Sequence, residues 1–255
     1  MRRRVNGGRA GAFAVLTLGL LLCGCSLQVH GRADTSGPPS FTVTTDGFDE
    51  EELQAKTREL FGEGPKTPGS VGNPAAEELA ASVVRLEVYD GKGAKIATGT
   101  GFAFGDPVRI ATSAHVIVNM DYALATRDDG SSFRIEAPAV YADPDLDLAV
   151  LPLPEGESLT PLPIAEELPP RGSPVTAIGS QAGLVNLVTV GNMSGVWEQD
   201  GRNYLIFTAP VSSGNSGGPL FDENGAVTGI VIGTYDKAQN LNIALSAKYL
   251  SEEAL

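Results

Sequence analysis

Gly214-Asn215-Ser216-Gly217-Gly218-Pro219 sets a serine among glycines. Glycines allow a tight turn that leaves the Ser216 hydroxyl uncovered. They also let backbone N–H groups converge where an oxyanion would develop. A serine alone is a weak nucleophile and needs a base and an orienting acid. The chain has two histidines, His30 and His115, and the second lies in Ala111-Thr112-Ser113-Ala114-His115-Val116. Asp147 opens the apolar run Asp147-Leu148-Ala149-Val150-Leu151, which reads as a strand. Along the chain the three run His, Asp, Ser.

That order excludes one alternative and weakens another. Gly214-Asn215-Ser216-Gly217-Gly218 also fits the Gly-x-Ser-x-Gly elbow of lipases and esterases, where the order is Ser, acid, His. No histidine follows Ser216. The order Asp, His, Ser needs an acid ahead of His115; Asp106 is available, but Gly105-Asp106-Pro107 reads as a turn.

These residues resemble the trypsin-like, chymotrypsin-fold serine peptidases. Thr112-Ser113-Ala114-His115-Val116 is similar to that family's T-A-A-H box. Asp147-Leu148-Ala149-Val150 matches its D-[IL]-A-[LV] box, and Gly214 to Leu220 its G-[DN]-S-G-G-P-L box. Gly99-Thr100-Gly101-Phe102 is similar to the G-[ST]-G-F box of the bacterial branch, and the short spacing with Asn before the serine is most like the HtrA-type branch. That branch usually carries a PDZ domain after the protease, and no such segment is expected before Leu255. The resemblance implies an all-β fold of two six-stranded antiparallel β-barrels with a C-terminal helix, and an active site in the cleft between the barrels. Periodicity by itself gives only an all-β chain, as two sub-barrels or one sandwich.

The resemblance also assigns roles: Ser216 as nucleophile, His115 as general base and then acid, and Asp147 as the group that fixes the imidazole tautomer. Asp145 is a rival for the acid. The oxyanion hole is expected from the N–H groups of Gly214 and Ser216. Asn215, unlike the aspartate of trypsin, cannot pair with a freshly cut N-terminus, which implies no such activation step. The position six before the nucleophile, a charged pocket floor in trypsin-like enzymes, is Pro210. The substrate-pairing strand falls on Ile232-Gly233-Thr234, and the far wall of the pocket around Asn240 to Asn242. Such a pocket offers no charge, so cleavage after small or medium apolar residues is expected. Glutamyl-specific relatives place a histidine in the pocket, and none remains after His115. No cofactor or metal is called for. A peptide-binding or chaperone-like lipoprotein with little hydrolysis is the alternative function, and a purely structural envelope anchor a third.

Composition agrees with an exported domain. The first 25 residues hold Arg2, Arg3, Arg4 and Arg9, then an apolar run from Ala12 to Leu22 that is short for a bilayer span. Leu22-Cys23-Gly24-Cys25-Ser26 resembles a bacterial lipoprotein signal with Cys25 as the lipidated residue; an uncleaved membrane anchor is the competing reading. Both cysteines lie in that segment, so the remainder has no disulfide and is held by its own core. Removing the four arginines leaves 14 basic against 31 acidic side chains, a net charge of −17. Such a surface repels nucleic acid and suits a soluble domain acting on proteins or peptides, tethered outside the cytoplasm by its N-terminal lipid.

The expected organisation is a signal peptide at 1–25, a flexible spacer at 26–78 with a helix from Asp49 to Leu60, and a peptidase domain at 79–255. Sub-barrels are expected at about 79–155 and 165–246. They are separated by a stretch from Pro152 to Pro170 that carries six prolines. Turns are expected at Asp90-Gly91, Asp129-Gly130 and Asp222-Glu223-Asn224-Gly225, and a helix from Ala247 to Leu255. His30, in the spacer, reads as solvated and inert.

Overall fold

Val83–Tyr89 alternates inward and outward side chains from Arg85 onward and forms β1, in a computed structural model that describes residues 74–181, 183–234 and 240–252. The signal segment, Cys25, His30 and the helix expected at 49–60 lie outside the described residues. Ahead of β1, α1 (Pro74–Ala80) begins inside the stretch read as spacer. Proline suits the first helical position because its missing N–H needs no partner there, and Glu77 complements the positive helix end. Leu79 and Ala80 pack on the main core. Among the described residues no helix is long and apolar enough to cross a membrane.

Asp90 turns the chain by accepting the N–H groups of Lys92 and Ala94, each at 2.9 Å, and leads into β2 (Lys95–Phe104). Then come β3 (Arg109–Thr112), β4 (Tyr122–Thr126), β5 (Ser132–Glu136), β6 (Tyr141–Asp143) and β7 (Leu148–Pro152). They form one antiparallel sheet in the order β5-β4-β1-β2-β3-β7-β6. Its edge strands β5 and β6 are consecutive in sequence and joined by residues 137–140. Four residues reach about 14 Å, whereas seven strands laid flat would set the edges about 29 Å apart. The sheet therefore curls back on itself around Val84, Leu86, Ile110, Phe133, Ile135 and Leu151. This half differs from the six-stranded closed barrel expected: it has seven strands and its edges do not pair. Pro138, which has no N–H to donate, lies where β5 would run into β6.

In the second half β8 (Pro174–Gly179), β9 (Leu187–Gln199), β10 (Arg202–Phe207), β11 (Pro219–Phe221), β12 (Val227–Thr234) and β13 (Asn242–Ser246) close a barrel in the order β10-β13-β12-β11-β8-β9. Val175, Met193, Leu205, Phe207, Leu220 and Val231 fill it. The turn at 222–225 links β11 to β12, with Asp222 accepting the N–H groups of Asn224 and Ala226 at 2.9 Å. A third apolar cluster joins the halves: Phe102, Phe104 and Val150 of the sheet meet Ile178, Phe221, Ile230 and Leu245 of the barrel. Each fully buried phenylalanine there contributes about 2–3 kcal/mol of transfer free energy. With no cysteine after residue 25, this cluster holds the halves together without a disulfide.

The proline-rich stretch between the halves is not a loose linker. Leu162 donates its N–H to Ala103 of β2, at 2.8 Å. On the barrel side Val227 donates to Pro163 and Ala165 to Val227, at 2.8 and 2.9 Å. The prolines have no donors, so the residues between them carry the pairing. The described residues end in α2 (Tyr249–Glu252), which buries Tyr249 and Leu250 in the shared cluster; the remainder of the helix expected to Leu255 lies outside them.

Candidate active site

Antiparallel pairing determines which chain ends meet. Thr112, the last residue of β3, stands opposite Ala149 of β7. His115, three residues beyond β3, and Asp147, one residue before β7, are therefore brought to the same end of the sheet. His115 sits in a 3-10 turn (Ala114–Ile117) whose Val116 is buried against Val88 and Ala123. Asp147 holds the turn twice: Oδ1 accepts the backbone N–H of His115 at 2.8 Å, and Oδ2 lies 2.7 Å from Nδ1. Leu146 and Leu148, both buried, fix the backbone on either side, with Asp147 at φ 56°. Aspartate is among the few non-glycine residues that tolerate this left-handed conformation. The far side of the imidazole faces out, the side chain being 48% exposed. The rival Asp145 is exposed and makes a different set of contacts: its N–H goes to Asp143 Oδ1 at 2.8 Å and its carbonyl accepts from Arg202.

Ser216 arrives at the same place from the barrel. Thr100 of β2 donates its N–H to the Ser216 carbonyl at 2.8 Å. Gly99 lies so close to both partners that an added Cβ would stand 2.6 Å from the Val116 side chain and 3.1 Å from the Ser216 carbonyl. Gly217, at φ 85°, is pressed against Thr112 and the Thr100 carbonyl, so no side chain fits. The turn is tied to β12 by Gly217 N–H to Val231 C=O and Val231 N–H to Gly218 C=O, at 2.7 and 2.8 Å.

Ahead of the serine, Asn215 N–H closes a turn onto the Ser212 carbonyl at 3.1 Å, with Gly214 at φ 98° in the third position. This is a type II turn, in which the central peptide is flipped relative to type I. The direction of the Gly214 N–H follows from that flip. Asn215 is 1% exposed, and neither atom of its amide has a hydrogen-bond partner among the described residues.

Among the residues expected to contact substrate, Pro210 is exposed and follows the buried Ala209. Ile232 is bulged out of the β12–β13 register, which steps from Val231 opposite Ala244 to Gly233 opposite Ile243. Among the described residues no strand pairs with the other edge of β12 over Ile232–Thr234, and an added Cβ on Gly233 meets nothing within 4 Å. Asn240 is exposed at φ 56°. Asn242, expected in the far wall, is instead buried, with its amide donating to the Ala209 carbonyl at 2.7 Å.

Two supporting residues went unmarked in the sequence. Thr100 stood in a recognised box without a role, although a strand residue between two glycines signals close backbone approach. Asn186, 4% exposed at φ 49°, donates its amide to the carbonyls of Ala80 and Val83 at 3.0 and 2.9 Å. It thereby fastens the β8–β9 loop to the start of β1. The same loop supplies Gln181 to the Ser212 hydroxyl, at 2.8 Å, and Ser180 as the surface against which Gly214 rests.

A two-half β fold that brings His115, Asp147 and Ser216 to the junction of its halves is the arrangement of a trypsin-like peptidase domain. The chain belongs to the trypsin-like peptidase domain family, which it matches over residues 99–230. It is 29% identical over 189 residues to the anti-sigma-I factor RsgI9 of Acetivibrio thermocellus, covering 74% of this chain and 26% of that protein. It is 30% identical over 177 residues to the serine protease Rv3671c of Mycobacterium tuberculosis, covering 65% of this chain and 43% of that protein. The crystal structure of the Rv3671c protease in its active form superposes with a TM-score of 0.63 at 28% identity, covering 73% of this chain and 85% of that one. This chain spans less than half the length of these two curated relatives.

Proposed function

We propose that the chain hydrolyses peptide bonds of proteins or peptides through an acyl-enzyme on Ser216, outside the cytoplasm and anchored by a lipid on Cys25. The observation that carries the chemistry is the double grip of Asp147 on His115, beside a serine whose turn is backed by the same strand. In this reading His115 takes the Ser216 proton through the ring nitrogen left free by Asp147 and returns it to the leaving amine. The N–H groups of Gly214 and Ser216 receive the oxyanion. The open edge of Ile232–Thr234 pairs with an extended substrate by adding a strand.

Specificity is read from the side chains around that edge. Pro210, Ile232 and Asn240 bring no charge, and a buried mismatch with a charged side chain costs several kcal/mol. A peptide-library profile of the purified protein is expected to show cleavage after Ala, Val or Leu. A profile dominated by Arg, Lys or Glu overturns the pocket assignment and leaves the Ser216 assignment standing.

Anchoring rests on Cys25, which follows an apolar run and a small Gly24. Two acyl chains hold a protein on a membrane far more stably than one. Cys25→Ser, expressed in a bacterial host fed labelled palmitate, is expected to lose the label and to leave the protein unprocessed or released. Wild-type protein that takes up no palmitate and starts at another residue rules this anchoring out.

A further inference from the structure

We propose that Thr100 is a positioning residue whose hydroxyl, reaching across from the first sheet, sets the orientation of the turn that carries the oxyanion donors. The inference rests on the reading of Gly214 and Ser216 N–H as those donors. Thr100 is fully buried, and each of its polar atoms is committed at the junction of the two halves. Oγ1 donates to the Gly214 carbonyl at 2.7 Å and accepts the Ser180 N–H at 3.0 Å. Its backbone N–H goes to the Ser216 carbonyl at 2.8 Å, and its carbonyl accepts from Thr112 Oγ1 at 2.8 Å.

The peptide linking Gly214 to Asn215 is thereby clamped at both ends. Its C=O is held by Thr100 and its N–H by the Ser212 carbonyl, and it lies between the two donors. An external clamp is needed because Gly214 adopts either sign of φ with nearly equal ease, so its own backbone does not select the type II turn. The Asn215 side chain supplies no such restraint, since neither atom of its buried amide has a partner among the described residues. Ser180, whose N–H occupies the hydroxyl's acceptor side, fixes the hydrogen of Oγ1 toward Gly214. Removing the hydroxyl leaves the turn free to flip and carry the Gly214 N–H away from the oxyanion.

Loss of one oxyanion donor lowers kcat by roughly 100- to 1,000-fold. A displaced donor is expected to cost about 10- to 100-fold. The test measures kcat and KM of the full chain on an uncharged peptide anilide, together with inhibition by a matching peptide boronic acid. Thr100→Val and Thr100→Ala are expected to lower kcat by that factor, with KM within about threefold, and to weaken the boronate by a similar factor. Thr100→Ser keeps the hydroxyl and is expected to stay within about threefold of wild type. The Thr100 methyl also approaches Gly218 closely, which gives packing as the competing role. If Thr100→Ser is as impaired as Thr100→Ala, packing is what matters and the proposal falls. It falls equally if Thr100→Ala keeps wild-type kcat, or if only KM changes. Should Thr100→Val fail to fold, the Ala and Ser pair decides. Ser216→Ala in the wild-type background separates the two claims: retained hydrolysis there sinks the nucleophile reading itself.

Discussion

Ser216→Ala is expected to lower peptide hydrolysis about a million-fold and to abolish labelling by an organophosphonate, with the fold intact. The size follows from removing the only group that forms the acyl-enzyme, while oxyanion donors and substrate contacts remain to give a small residual rate. The intact fold follows from how Ser216 is held. Its carbonyl accepts from Thr100, and Gly217 and Gly218 bond to Val231 through their backbones, so none of these contacts uses the hydroxyl. Thermal unfolding of the variant should match the wild type. Full activity in Ser216→Ala would remove this serine from the chemistry and favour a peptide-binding role for the cleft.

Asp147→Asn should lower kcat by roughly three to four orders of magnitude. Asp147 Oδ1 accepts the His115 backbone N–H, which an asparagine oxygen would also do. Oδ2 faces Nδ1, and there the substitution places an NH2 group that makes Nδ1 the acceptor. The ring proton then sits on Nε2, and the imidazole no longer takes a proton from serine. Asparagine tolerates the left-handed φ of this position as well as aspartate does, so unfolding should be little changed. Asp145→Asn is the control. Its exposed side chain lies apart from the histidine contacts, and turnover should remain near wild type. A damaging Asp145→Asn with a mild Asp147→Asn would reverse the assignment.

Local chemistry was the legible part of the sequence. The turns read at Asp90-Gly91, Asp129-Gly130 and Asp222-Glu223-Asn224-Gly225 fall between β1 and β2, β4 and β5, and β11 and β12, and the order of His115, Asp147 and Ser216 excluded the esterase arrangement. What escaped depends on residues far apart in the chain. Asn186 is a polar residue after a leucine–valine pair, and nothing local says that its amide will meet carbonyls 106 and 103 residues earlier. Proline density marked the segment that separates the halves, but not that Leu162 and Ala165 donate from between the prolines to fasten it down. Asn242 was placed in the far wall by the resemblance alone; in the fold its buried amide donates to the Ala209 carbonyl. The edge strand β6 is three residues long, below what alternation can mark.

The place where the chain enters the domain has a mechanical consequence. β1 lies between β2 and β4, with seven residues paired on one side, across a bulge after Val88, and five on the other. A load applied ahead of residue 74 therefore runs along the axis of an interior strand, in shear, with both rows of hydrogen bonds resisting together. The carbonyls of Ala80 and Val83 are in addition held by the Asn186 amide from the barrel side. Tension on the N-terminal side is thus divided between the two halves before any strand pair opens.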